Sequence, residues 1–166
     1  MELVVSSYSD TDTQKIAALL VKHLRVPMTL ALEGDLGAGK TCFVRGLVQA
    51  LDPAQIVRSP TYALAHTYKT YPVVHHVDLY RVQDQDLEDL GIENLLDDPE
   101  AIVCIEWPKH RQNPLPERTI WIYFECLENN QRQIKFVFPP GIDSELKSVI
   151  SLLERGVEQL GSSSGS

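Results

Sequence analysis

The chain has no apolar run approaching the length of a membrane span, no run of lysines and arginines, and only three cysteines. Each absence excludes something. A spanning helix needs roughly 20 consecutive apolar residues, so no membrane helix is expected. Cys42, Cys104 and Cys126 are widely spaced and odd in number. No CxxC pair suggests zinc and no framework suggests secretion, so reduced, mostly buried thiols are expected. Residues 1–25 lack the apolar core of a signal peptide, which makes the cytoplasm the expected location. Basic charge is scarce overall: Lys plus Arg is 15 against 23 for Asp plus Glu, a formal charge of −8. Nucleic-acid binding rests mainly on basic side chains neutralising phosphates. A role in a nucleic-acid pathway would therefore run through protein partners.

What is present suits a single globular domain: 166 residues, 43% hydrophobic and 23% charged, enough to bury an ordinary core. "ELVVSS" reads as a first strand. In "TDTQ", Thr11 and Gln14 stand three apart as a capping box, and Ile16, Leu19, Leu20 and Leu24 follow at helical spacing. A helix over 12–25 is expected, closed by Pro27. "MTLALEG" reads as a buried strand, and Phe43, Val44, Leu47 and Leu51 as the inner face of the next helix. Pro53 and Pro60 keep 52–61 a loop, expected to be mobile. "YALAHTYK" and "YPVVHHVDLY" predict a hairpin, and 83–97 an acidic helix with Leu87, Leu90, Ile92 and Leu95 inward. "AIVCI" has the unbroken apolar character of a strand covered on both faces. "RTIWIYFECL" and "RQIKFVFP" flank "ENNQ" as a final hairpin, and 143–160 predict a last helix. The domain is expected over 1–160, with "GSSSGS" at 161–166 as a disordered tail.

Between the second strand and second helix lies Gly34-Asp35-Leu36-Gly37-Ala38-Gly39-Lys40-Thr41, which fits G-x-x-x-x-G-K-[ST] without mismatch. Small residues let backbone N–H groups close around phosphate oxygens, and the helix start adds its positive end. Lys40 would reach the outer phosphates and the Thr41 hydroxyl would ligate Mg²⁺. Hydrolysis needs more: a carboxylate to organise metal, and something to orient water. Glu106 ends the buried run "AIVCI", and Asp78 shares a strand face with His76 and Tyr80. A solvated strand end and a surface salt bridge are the plain alternatives for the two carboxylates. Ser59 and Thr61 in "RSPTY" place hydroxyls in a loop stiffened by Pro60, as in a γ-phosphate sensor or an ordinary turn. His75 and His76 are expected to pack or hydrogen-bond, because no other His or Cys stands at ligand spacing.

Taken together, "GDLGAGKT", "SPTY", "HHVDLYR" and "IEWP" in this order resemble the TsaE (YjeE) family of bacterial ATPases. That family serves threonylcarbamoyladenosine modification of tRNA, and the resemblance runs from about residue 10 to about residue 138. It implies an α/β P-loop NTPase fold, a central mixed sheet flanked by helices in a single compact domain. It also implies a weak Mg²⁺-dependent ATPase that resets a complex of TsaD and TsaB between turnovers and meets tRNA only through them. Carried over by motif, Lys40, Thr61, Asp78 and Glu106 are the catalytic set, and Thr41 and Glu106 hold the metal. Asp35, Leu36, Gly37, Ala38, Gly39, Lys40, Thr41 and Cys42 cradle ATP, with Trp107 beside it and Thr13 and Arg132 as further contacts. Cys42 stands where serine or threonine is common, and leaves the loop open to oxidation. The alternative is a small-metabolite kinase, which needs an acceptor site and usually an arginine-bearing lid. "KHR" at 109–111, followed by Pro114 and Pro116, makes a poor one.

Overall fold

Seven short segments rich in β-branched and aromatic residues pair into one sheet. The structure, a computed structural model, describes residues 1–60, 62–82, 91–111, 113–141 and positions 146, 148, 149, 151–153 and 155. In chain order the elements are β1 (Glu2–Ser7), α1 (Asp10–Val21), β2 (Met28–Glu33), α2 (Lys40–Leu51), β3 (Ala65–Tyr68) and β4 (Val73–Asp78). They continue with α3 (Ile92–Leu96), β5 (Ala101–Glu106), β6 (Thr119–Cys126) and β7 (Arg132–Val137). The sheet order is β1-β7-β6-β2-β5-β4-β3. β2 lies parallel to both β5 and β6, β4 is parallel to β5, and the outer pairs are antiparallel. The mixed sheet with covering helices matches the expected α/β P-loop architecture.

Alternation along the strands sorts the core into two layers. On one face Leu30, Leu32, Ile102, Cys104, Ile120 and Ile122 pack with Ile16 and Leu20 of α1 and Phe43 and Leu47 of α2. On the other, Val77, Ala101, Val103 and Ile105 pack with Ile92 and Leu96 of α3. α1 and α2 meet at Gly46, where a Cβ would stand only 2.4 Å from the Gln14 Cα and 2.5 Å from its carbonyl oxygen. No side chain fits there. A mid-helix glycine costs about 1 kcal/mol of propensity relative to alanine, and close helix contact is what it permits.

Three boundaries differ from the sequence expectation. α1 starts at Asp10 and not at residue 12, because the Ser9 hydroxyl, and not that of Thr11, accepts the Asp12 N–H at 3.0 Å. Asp12 in turn accepts from the Tyr8 N–H at 3.1 Å, which ties the residue before the N-cap to the first turn two residues ahead of the expected cap. The helix ends at Val21, with Leu24 packing from the following turn. β3 begins at Ala65, since Leu64 sits at φ 65 with its N–H donated to the Pro60 carbonyl. Of the acidic helix, Ile92 and Leu96 are buried and Leu95 packs beside them, while Leu87 and Leu90 lie outside the described residues. Of the last helix, Leu146, Val149 and Leu153 are helical and buried in the larger core. Most of 143–160 and all of 161–166 lie outside the described residues. Among the described residues no helix is long and apolar enough to cross a membrane.

Candidate functional site

The carboxyl ends of β2, β5 and β4 lie side by side, with Leu32 opposite Glu106 and Glu106 opposite Asp78. In open α/β sheets ligands bind outside these ends. The chain leaving β2 forms the glycine-rich loop and re-enters as α2 at Lys40. The N-cap of α2 is Gly39, at φ 110, with no side-chain cap and no acidic residue in the first turn. The positive φ favours glycine there, and a Cβ would also press on the Arg132 side chain at 3.1 Å. The helix start therefore offers uncapped N–H groups and the positive end of its dipole to the space above it.

That space is a cavity of about 590 Å³, lined by Leu36 to Cys42 of the loop and by Asp78, Glu106, Trp107 and Arg132. Its volume is that of an ordinary small-molecule site. Lys40 is buried. Its ammonium donates to the Gly34 carbonyl and to that of Asp35 at 3.2 Å, and lies 4.0 Å from the Trp107 ring centroid. Burial pushes its pKa down, against the pull of Glu106 and Asp78. An anion in the cavity would hold the charged form. Trp107 occupies the left-handed region at φ 59 directly before Pro108, which is unusual for a bulky residue. Its ring is braced by Tyr80 at 4.9 Å and His110 at 5.6 Å.

The Thr41 hydroxyl lies 3.2 and 3.1 Å from the two Glu106 oxygens. Glu106 is only 3% exposed, and its Oε2 also meets His76 Nε2 at 2.6 Å. Asp78 is equally buried; it accepts the Tyr80 N–H at 2.9 Å and the Ser59 hydroxyl at 3.4 Å. Neither carboxylate is a solvated strand end or a surface salt bridge. The hydroxyl and carboxylate oxygens of Thr41 and Glu106 form a hard donor pair suited to Mg²⁺. Among the described residues no three His, Cys, Asp or Glu gather as a metal cage.

One expected residue sits elsewhere. Thr13 is fully buried behind the cavity, its hydroxyl 2.7 Å from that of Ser7 and accepting from Arg132 Nη1 at 3.2 Å. It anchors Arg132 and does not line the cavity. Thr61 lies outside the described residues. The oxidation expected of Cys42 is opposed by its surroundings. The thiol is buried, accepts from Gln14 Nε2 at 3.8 Å, and lies 3.5 Å from the Asp10 carbonyl. Burial and Asp10 raise its pKa, which suppresses the reactive thiolate. Cys104 is buried too, but Cys126 is exposed.

Folding also makes a cluster that the sequence hides. Lys40, Arg45, Arg81 and Arg132 all line the cavity, against three carboxylates. Arg132 is tied to Asp10 at 2.7 Å, and the Arg81 guanidinium lies 5.0 Å from the Tyr62 ring centroid. These residues are far apart in sequence, so counting runs of basic residues misses them. The expected absence of a basic cluster holds along the chain but not in space.

Comparison with known proteins places these features in context. A family profile described as "Threonylcarbamoyl adenosine biosynthesis protein TsaE" matches residues 7–134. The "tRNA threonylcarbamoyladenosine biosynthesis protein TsaE" of Aquifex aeolicus is 36% identical over 132 residues, covering 76% of this chain and 90% of that protein. The protein of the same name from Haemophilus influenzae is 33% identical over 141 residues, 83% of this chain and 88% of its own. Among solved structures, Bacillus subtilis YdiB superposes with a TM-score of 0.70 at 24% identity, covering 93% of this chain and 95% of its own.

Proposed function

The chain belongs to the TsaE family, and from that premise we propose that it is a weak Mg²⁺-dependent ATPase of tRNA threonylcarbamoyladenosine biosynthesis. Its hydrolysis cycle would reset the TsaD–TsaB complex between turnovers. The observation that carries this reading is the meeting of Thr41 with Glu106, at 3.1–3.2 Å, beside the start of α2 and the Lys40 ammonium. Backbone donors of the loop and Lys40 bind the phosphates. Thr41 and Glu106 hold Mg²⁺, which when bound neutralises phosphate charge. Asp78, fixed by Tyr80 and Ser59, orients the attacking water. Trp107 excludes solvent above Lys40. Arg132, held by Asp10 and Thr13 beside Gly39 of the loop, contacts the nucleotide.

The −8 charge and the concentration of cationic groups at the nucleotide cavity favour tRNA contact through partners. The test is phosphate release from ATP with no acceptor present, alone and with TsaD and TsaB, beside a tRNA titration of the protein alone. Slow release that partners accelerate, with negligible tRNA affinity at physiological salt, is expected. ADP formation only with an added metabolite, without matching phosphate release, would favour a kinase. Tight, salt-sensitive tRNA binding by the protein alone would overturn the partner-borne role.

A further inference from the structure

His75 and His76 are neighbours in β4, and both are buried. His75 uses both ring nitrogens: Nδ1 meets the Thr67 hydroxyl at 2.9 Å and Nε2 meets Asp98 at 2.8 Å. His76 does not. Its Nε2 lies 2.6 Å from Glu106 Oε2, while its Nδ1 has no hydrogen-bond partner among the described residues. His76 is fully buried, so water does not reach the ring from outside. Leaving a buried polar atom unpaired is costly, and an unpaired N–H is rarer than an unpaired acceptor. A scaffold histidine would be expected to satisfy both nitrogens, as His75 does. One kept for volume alone could be replaced by an apolar residue.

The arrangement becomes intelligible through Glu106. Because a buried unpaired N–H is rarer than an unpaired acceptor, the proton belongs on Nε2, in the short contact, and the partnerless Nδ1 is the nitrogen that goes without. Donation from Nε2 to Oε2, an oxygen that Thr41 also meets, restrains the carboxylate plane. The Glu106 oxygens are then turned to the Thr41 hydroxyl, 3.2 and 3.1 Å away. We infer that His76 is a positioning residue: its Nε2–H orients the Glu106 carboxylate toward Thr41 so that the two can share one Mg²⁺. Outer partners of this kind commonly set metal affinity through ligand orientation. The inference rests on the ATP and Mg²⁺ reading proposed above, and adds a residue that does not itself touch nucleotide or metal.

Three substitutions separate a hydrogen-bonding role from a space-filling one. His76→Gln keeps a donor near the Nε2 position, His76→Asn offers its amide only near Nδ1, and His76→Leu offers none. The measurement is calorimetric binding of a non-hydrolysable ATP analogue across a Mg²⁺ titration, with thermal melting to monitor folding. His76→Leu and His76→Asn are expected to need about ten- to a hundred-fold more Mg²⁺ for the same gain in affinity, with metal-free binding unchanged. His76→Gln is expected to keep most of the parental response. A parental Mg²⁺ response in His76→Leu would overturn the assignment, as would a Gln variant as impaired as the Leu variant. A parent protein whose analogue binding ignores Mg²⁺ would remove the metal reading and this assignment with it. That failure is recognisable because it appears before any substitution. Should the Leu and Asn variants not fold, nitrogen NMR of the parent imidazole decides. The Nε2–H tautomer is expected, and an Nδ1–H tautomer would overturn the proposal.

Discussion

The two faces of the β4–β5 pair are built from the same twelve residues and do opposite things. Toward α1 and α2, β4 presents Val74, His76 and Asp78, and β5 presents Ile102, Cys104 and Glu106. Toward α3 they present Val73, His75 and Val77, and Ala101, Val103 and Ile105. The first face grades from hydrocarbon to carboxyl oxygen within three side-chain positions. The second is hydrocarbon except for His75, whose polarity is absorbed by Thr67 and Asp98. A site therefore does not need a polar face. It needs a polar end to an otherwise apolar face, where low dielectric strengthens each contact.

The largest expected contrast comes from replacing Lys40 on the site side. Truncating one partner of a buried charge contact costs about 2–5 kcal/mol or more, so Lys40→Ala should all but abolish ATP binding while its melting temperature stays near the parent's. Equal affinity by calorimetry would remove Lys40 from the phosphate contacts. Ile105→Ala tests the other face. Ile105 is fully buried beside α3, and such truncations cost about 2–5 kcal/mol of stability. Denaturant unfolding should show that loss with nucleotide affinity kept, and the reverse pattern would mean the faces are not separable. Glu106→Gln is smaller: it preserves volume, and should lower turnover about ten- to a hundred-fold while metal-free affinity holds. Steady-state phosphate release beside binding measurements checks it.

The smallest effect concerns Asp98. Its carboxyl is held below the usual carboxylate range by the hydrogen bond from His75, helped by the Glu100 N–H. A depressed folded-state pKa adds stability above the unfolded value of about 3.9, lost as pH falls through the folded value. Asp98→Asn should therefore flatten the acid limb of the stability curve slightly and leave neutral-pH ATP turnover untouched. A turnover change would show that the faces communicate.

Periodicity made much of this legible. β1, β2 and β5 stand out as apolar or alternating runs, and the loop before Lys40 fits a motif whose chemistry needs its glycines. The start of α1 was less legible because "SSYSDTDT" offers several capping residues. Which one caps depends on Ser7, whose hydroxyl donates to the Ser9 carbonyl and lies 2.7 Å from that of Thr13. Sheet order was not legible, because β1 pairs with β7 from the far end of the domain. For the same reason the partnership of Asp78 with Glu106, and of both with Lys40, exists only after β4 and β5 align. His76 was expected to hydrogen-bond, but nothing in "HHVDLY" shows that its partner is Glu106. Arg45 carries no local signal, and nothing in "HHVDLYR" or "SSYSDTDT" shows that Arg81 and Asp10 reach the cavity.

Gly46 can be considered as a clearance. It touches nothing in the cavity, yet it sets how far α1 stands from α2, with only 2.4 Å between an added Cβ and Gln14. A methyl group there would act as a wedge. α1 is the arm it would move, and Asp10 and Thr13, within one turn of Gln14, are the grips by which that arm holds Arg132. A misplacement of about 1 Å at a reacting site can cost a hundred-fold in rate, and this wedge would have to open by a comparable amount. The tolerance of the site is thus set partly by a position in α2 where the protein cannot accept another carbon atom.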